Sequence, residues 1–109
     1  MIERRKHPRF KITVPVEVHT EGSTAPLRCA TSDLSLDGCY IESMYPFPKE
    51  TCLELKIEAG ETLLIAAKVV TCDPQVGNGI QFLRMLPEDE AALAKFLEHA
   101  AHQDLAHKF

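Results

Sequence analysis

Two short clusters, 24 positions apart from Arg9 to Asp33, hold the side chains of this chain best suited to gripping a ligand. The first is basic and runs Glu3-Arg4-Arg5-Lys6-His7-Pro8-Arg9-Phe10. The second is a polar turn, Asp33-Leu34-Ser35-Leu36-Asp37-Gly38. A guanidinium fork meets two acceptors at once, so it suits phosphates and the O6/N7 edge of guanine. A carboxylate accepts from guanine N1–H and N2–H, and a serine hydroxyl serves a base or a phosphate. Arg5 and Arg9 are four apart on a segment that Pro8 keeps from being a regular helix, which lets both forks converge on one guest. Asp33 and Ser35 are two apart and point the same way if the strand continues through them. Gly38 supplies either a positive φ or a close backbone approach.

Each cluster has a plainer reading. An R-x-x-x-R spacing is common, and a terminal charge run is often just solvated. An Asx-type turn, with Asp33 bonding its own backbone and Gly38 closing it, also accounts for the second cluster. Equipment for catalysis is missing: neither cluster brings a cue for a histidine base, and no phosphate-cradling Gly-rich loop appears. The expectation is a binding protein with no catalytic residues.

The elements that must position these residues are legible from periodicity. The chain has 109 residues, enough for one domain with a real core. Phe10, Ile12, Val14, Val16 and Val18 alternate with polar neighbours, which predicts a strand with one buried face. Pro15 falls on the outward face and lacks a ladder donor, so this strand is expected at a sheet edge or bulged. Glu21-Gly22-Ser23 turns the chain into a second strand from Leu27 to about Ser32. Asp33–Gly38 interrupts it, and Cys39–Glu42 resumes extended structure. After a break at Tyr45-Pro46-Phe47-Pro48, Leu53, Leu55 and Ile57 alternate with Glu54, Lys56 and Glu58. A connection at Ala59–Thr62 leads to a long apolar strand, Leu63–Thr71. A turn at Asp73-Pro74-Gln75 with Gly77-Asn78 precedes a last strand at Ile80–Leu83. Five or six short strands spaced by turn signals predict a small antiparallel barrel over residues 10–85. From Pro87 the period changes. Glu88, Asp89 and Glu90 complement a helix dipole, and Leu93, Phe96, Leu97 and Ala100 form the stripe of a helix over 87–106 that covers the barrel.

Composition limits the partners. Residues 1–11 carry a balance of +4 within a net charge of −4, so the remaining 98 residues sum to −8. A cationic arm on an acidic body concentrates anion attraction in one place. The acidic body, the absence of Trp and only seven aromatics weigh against a stacking platform for nucleic acid. No apolar run approaches the roughly 18 residues of a membrane span. The N-terminus shows no apolar signal segment, which makes a cytoplasmic location the expectation. Cys29, Cys39, Cys52 and Cys72 form no C-x-x-C pair and read as small buried hydrophobes. His99 and His102 fall three apart on the terminal helix, but the sequence shows no thiol or acid at a matching ligand spacing, so they read as surface histidines and no metal site is expected.

Taken together, Arg5-x-x-x-Arg9 and Asp33-x-Ser35-x-x-Gly38 resemble the PilZ domain family of cyclic di-GMP receptors. The resemblance covers nearly the whole chain, including Arg9-Phe10 leading to Pro15-Val16, Val69-Val70, and Gly77-Asn78-Gly79-Ile80-Gln81-Phe82 before a terminal helix. It implies an all-β domain, a six-stranded antiparallel barrel with a C-terminal α-helix, filling residues 1–109. It also implies that Arg5 and Arg9 hold phosphates and guanine Hoogsteen edges, with Asp33 and Ser35 on the opposite guanine edge and Gly38 closing the turn. Arg4 precedes the motif, where its guanidinium stacks on a further guanine face if the ligand binds as an intercalated dimer. Residues 1–9 are expected to be a mobile basic arm that orders over cyclic di-GMP and signals to a separate, unidentified effector protein. The alternatives are an interaction module that keeps the fold without the ligand, and a nucleic-acid-binding small barrel.

Overall fold

The computed structural model describes residues 7–107, with side chains through 101. In chain order it contains β1 (Pro15–Thr20), β2 (Leu27–Leu34), β3 (Gly38–Glu42), β4 (Cys52–Glu58), β5 (Thr62–Asp73), β6 (Gly77–Met85) and α1 (Pro87–His107). All neighbouring strands are antiparallel, and they close in the order β1-β2-β3-β6-β5-β4. The architecture is the six-stranded barrel with a C-terminal helix that turn spacing and the family resemblance implied.

Period-2 patterning builds the interior. Val16 and Val18, Leu53, Leu55 and Ile57, Leu63, Ile65, Ala67 and Val69, and Ile80 and Phe82 all face inward and are buried. The helix closes one end of the barrel by lowering Leu93 and Leu97 into the same cluster, with Phe96 packed at its margin. Its buried Asp89 does more than complement a dipole: Oδ2 accepts the backbone N–H of Leu64 at 3.3 Å, which ties the first turn of α1 to β5.

Three expectations need correction. Closure leaves no sheet edge for Pro15. It sits instead at the first position of β1, opposite Ala30, and pairing with β4 starts only at Val16, so no ladder donor is lost. The alternation from Phe10 to Val18 is likewise not one strand: Phe10 forms an isolated bridge to Leu34 before β1 begins. Gly77 and Asn78 belong to β6 rather than to a turn. A Cβ on Gly77 would lie 2.2 Å from the Ile41 carbonyl oxygen, so only glycine lets β6 approach β3 there. Asn78, buried, donates to the carbonyls of Phe47 and Thr71 and accepts from Phe47 N–H, clamping the β3–β4 loop to the barrel.

The cysteines divide by strand face. All four are free thiols; Cys39 is buried, Cys29 and Cys72 are half-buried, and Cys52 is exposed because it takes an outward position on β4. Burial, reinforced by the Asp33 carboxylate and opposed by Arg9, pushes the Cys39 thiol up to about 12. In the unfolded chain this thiol returns to its ordinary value, so above pH 9 the unfolded state sheds a proton that the folded state keeps. Stability is therefore expected to fall as pH rises from 9 towards about 12, and a Cys39→Ala variant should flatten that decline in urea melts. In the native protein a thiol reagent should label Cys52 first and Cys39 only on unfolding.

Candidate ligand-binding site

Arg9 and Phe10, from the basic cluster, meet the Asp33–Gly38 turn at the barrel end that α1 covers. Phe10 N–H donates to Leu34 O at 3.0 Å, and Leu34 N–H donates to Phe10 O at 2.9 Å. This two-bond clasp pins the incoming segment beside the end of β2 and delivers Arg9 to Asp33. Arg9 Nη1 lies 3.0 Å from Asp33 Oδ1, with the two side chains 20% and 27% exposed. The register of β2 on β3 shifts between Thr31 and Asp33, which inserts an extra residue. Strict alternation from buried Thr31 would turn Asp33 into the core; the bulge keeps its carboxylate half-exposed at the rim.

Gly38 forms the floor. A Cβ there would stand 2.3 Å from Ile80 O and 3.6 Å from Arg9 Nη2, so the guanidinium and the β6 backbone both crowd its α-carbon. The Nε of Arg9 is buried with no hydrogen-bond partner among the described residues. Asp33 engages one edge of the guanidinium, and the site carries both charges.

Ser35 is placed differently from the continued strand that the sequence suggests. β2 ends at Leu34, and Ser35 is fully buried in the turn. Its hydroxyl donates to Asp37 Oδ1 at 2.6 Å and accepts from the N–H groups of Gly38, at 3.1 Å, and Asp37, at 3.3 Å. Ser35 N–H also donates to Gly38 O at 2.9 Å. Ser35 thus shapes the turn, while Asp33 reaches the rim. Asp37, half-buried, is the residue that sequence reasoning passed over; its Ser-x-Asp spacing is the signal of a hydroxyl-capped turn. Arg4 and Arg5 lie outside the described residues. Among the described residues, no group of three or more His, Cys, Asp or Glu side chains is arranged to hold a metal ion.

A family model for the PilZ domain matches residues 3–99, nearly the full length of the barrel and its helix. The chain belongs to the PilZ domain family. Solved PilZ-containing structures share its fold at low identity. The inhibitor of motility MotI/DgrA of Bacillus subtilis superposes with a TM-score of 0.75 at 18% identity, over 93% of this chain and 53% of that one. MrkH of K. pneumonia, solved with c-di-GMP, gives 0.78 at 15% identity over 97% of this chain and 56% of that one. The PilZ domain of YcgR from Escherichia coli, also with c-di-GMP, gives 0.71 at 15% identity, over 97% of each chain. This chain therefore spans about half the length of the first two proteins and nearly all of the isolated PilZ domain. A search of curated protein sequences found no match. No helix among the described residues is long and apolar enough to cross a membrane.

Proposed function

We propose that this PilZ domain is a receptor for cyclic di-GMP. The observation that carries this reading is the clasped Arg9, held against Asp33 and Gly38 at the barrel rim. A guanidinium in that setting offers a fork to phosphate or to guanine O6 and N7, while Asp33 beside it accepts from N1–H and N2–H. In this reading Arg9 trades part of its bond to Asp33 for the ligand, and Arg5 joins it on the phosphates. Arg4 stacks on a second guanine where two ligand molecules intercalate. Ser35 acts through the turn, because its single proton is already directed at Asp37.

The consequence is a switch in the N-terminal arm. Two phosphates recruit the basic residues ahead of Phe10 over the barrel end, and the surface around α1 and the turn changes for a separate effector protein. Such a switch acts only through the ligand's stronger interaction with the closed state. Isothermal calorimetry with cyclic di-GMP, using GTP and GMP as controls, tests the reading. Saturable heat with the cyclic dinucleotide alone is expected, at a stoichiometry near two if the intercalated dimer forms. Equal heats from all three nucleotides, or none from any, would remove it.

A further inference from the structure

The outer wall of the barrel beside Asp33 is built around one aromatic ring. Across the β2–β3 ladder the register partner of Asp33 is Tyr40. Directly opposed residues hold their Cβ atoms about 5 Å apart. Tyr40 takes the outward position between the buried Cys39 and Ile41, and is itself half-buried. Its side chain lies along the wall rather than standing off it. The hydroxyl donates to Asp73 Oδ2 on β5 at 2.6 Å, and β6 separates β3 from β5 in the barrel. The ring therefore crosses β6, where the residues beneath it are glycines. Gly79 is the β6 partner of Tyr40, and Gly77 is the partner of both Glu42 and Asp73. A Cβ on Gly77 would stand 2.9 Å from Tyr40 Cε1, so the ring rests on bare backbone. With one face on β6 and one edge fixed by Asp73, the opposite face of the ring is the part that solvent reaches.

The surroundings select what that face takes. The carboxylates of Asp33, Glu42 and Asp73 flank the ring, so they repel a phosphate and accept N–H donors. A neutral purine with donors along one edge suits both the ring and the carboxylates. We propose that Tyr40 is the stacking platform for the guanine that Asp33 holds. The inference rests on the cyclic di-GMP reading and adds a contact to that site. A guanine donating N1–H and N2–H to Asp33 projects its imidazole half over β3, one strand spacing of about 4.8 Å away, where the ring begins. The base covers the near part of the ring, and the hydroxyl end stays on Asp73 beyond it. The phosphates remain with Arg9, whose Nη2 would stand 3.6 Å from a Cβ on Gly38, two residues earlier on the same face of β3. Because Asp73 holds the ring in place beforehand, the platform needs no ordering when the ligand arrives.

Calorimetry and ligand NMR on the unmodified chain, Tyr40→Phe and Tyr40→Leu test the proposal. Loss of one base–aromatic stack in Tyr40→Leu should weaken cyclic di-GMP about tenfold. Tyr40→Phe keeps the ring without the bond to Asp73, and its affinity should fall between the other two. The direct readout is an intermolecular NOE from guanine H8 to the Tyr40 ring protons, with H8 moved upfield by the ring current. Tyr40→Phe should retain that upfield shift, and Tyr40→Leu should reduce it. A tyrosine that only staples β3 to β5 would change the melting temperature without producing either signal. Should Tyr40→Leu fold poorly, the NOE in the unmodified chain decides. Binding of cyclic di-GMP without that NOE, or with full affinity in a folded Tyr40→Leu, would overturn the platform and leave the receptor reading in place. No binding by the unmodified chain would overturn both.

Discussion

Replacing Arg9 by alanine is expected to weaken cyclic di-GMP binding by about two orders of magnitude while leaving the barrel folded. Charge-assisted hydrogen bonds are worth about 1.5–3 kcal/mol each, and losing a bidentate set near 3 kcal/mol corresponds to roughly 100-fold in affinity. The fold should tolerate the change, because the main-chain clasp of Phe10 on Leu34 does not depend on the guanidinium. Asp33, already 27% exposed at the rim, can rehydrate. Arg9→Lys separates charge from geometry. Lysine retains the cation but not the planar fork, so it should recover only a small part of the affinity. Calorimetry on the three proteins, with circular dichroism as the folding control, reads the outcome. Undiminished affinity in Arg9→Ala would take the clasped arginine out of the mechanism.

Gly38→Ala should be among the most destabilising single methyl additions in this chain. The new Cβ would sit 2.3 Å from Ile80 O, well inside contact distance, where β3 and β6 pair Gly38 with Gln81. The obstacle is backbone, fixed by Phe82 N–H donating to Asp37 O at 2.8 Å, so a rotamer change cannot relieve it. Overpacking of this kind costs about 3 kcal/mol. For a domain near this size that lowers Tm by about 10–20 °C. Gly22→Ala is the informative contrast. Gly22 has φ +85° but nothing within 4 Å of a Cβ, so only local backbone strain, about 1 kcal/mol, is at stake. Thermal unfolding followed by circular dichroism should rank Gly38→Ala far below Gly22→Ala. Similar values for the two would mean that β3 and β6 can separate at little cost.

What the sequence made legible follows from which interactions are local. The alternation in β4, from Leu53 to Ile57, and the stripe of Leu93 and Leu97 on α1 depend on period alone, and both are buried as expected. Arg9 and Asp33 were legible as two residue types suited to one ligand, but the direct bond they make to each other across 24 positions was not anticipated. The bulge at Ser32–Asp33 was not legible, because it arises from register against β3, a long-range choice that no short window encodes. Burial of Ser35 follows from the same event: once β2 stops at Leu34, the hydroxyl is worth more to the turn than to the rim. Pro15 misled for a related reason. A proline reads as an edge signal, yet in a closed barrel the start of a strand satisfies the same constraint. The exposure of Leu64 was equally out of reach, because a continuous apolar run tells nothing about which face remains uncovered.

The most direct test of the central claim is an amide shift titration of the isotopically labelled full chain with cyclic di-GMP. Saturating ligand should move Arg9 and Phe10 together with Asp33 through Gly38, and leave the distant β5–β6 turn around Gln75 in place. Unmoved resonances in both clusters, or changes confined to other parts of the barrel, would contradict the account.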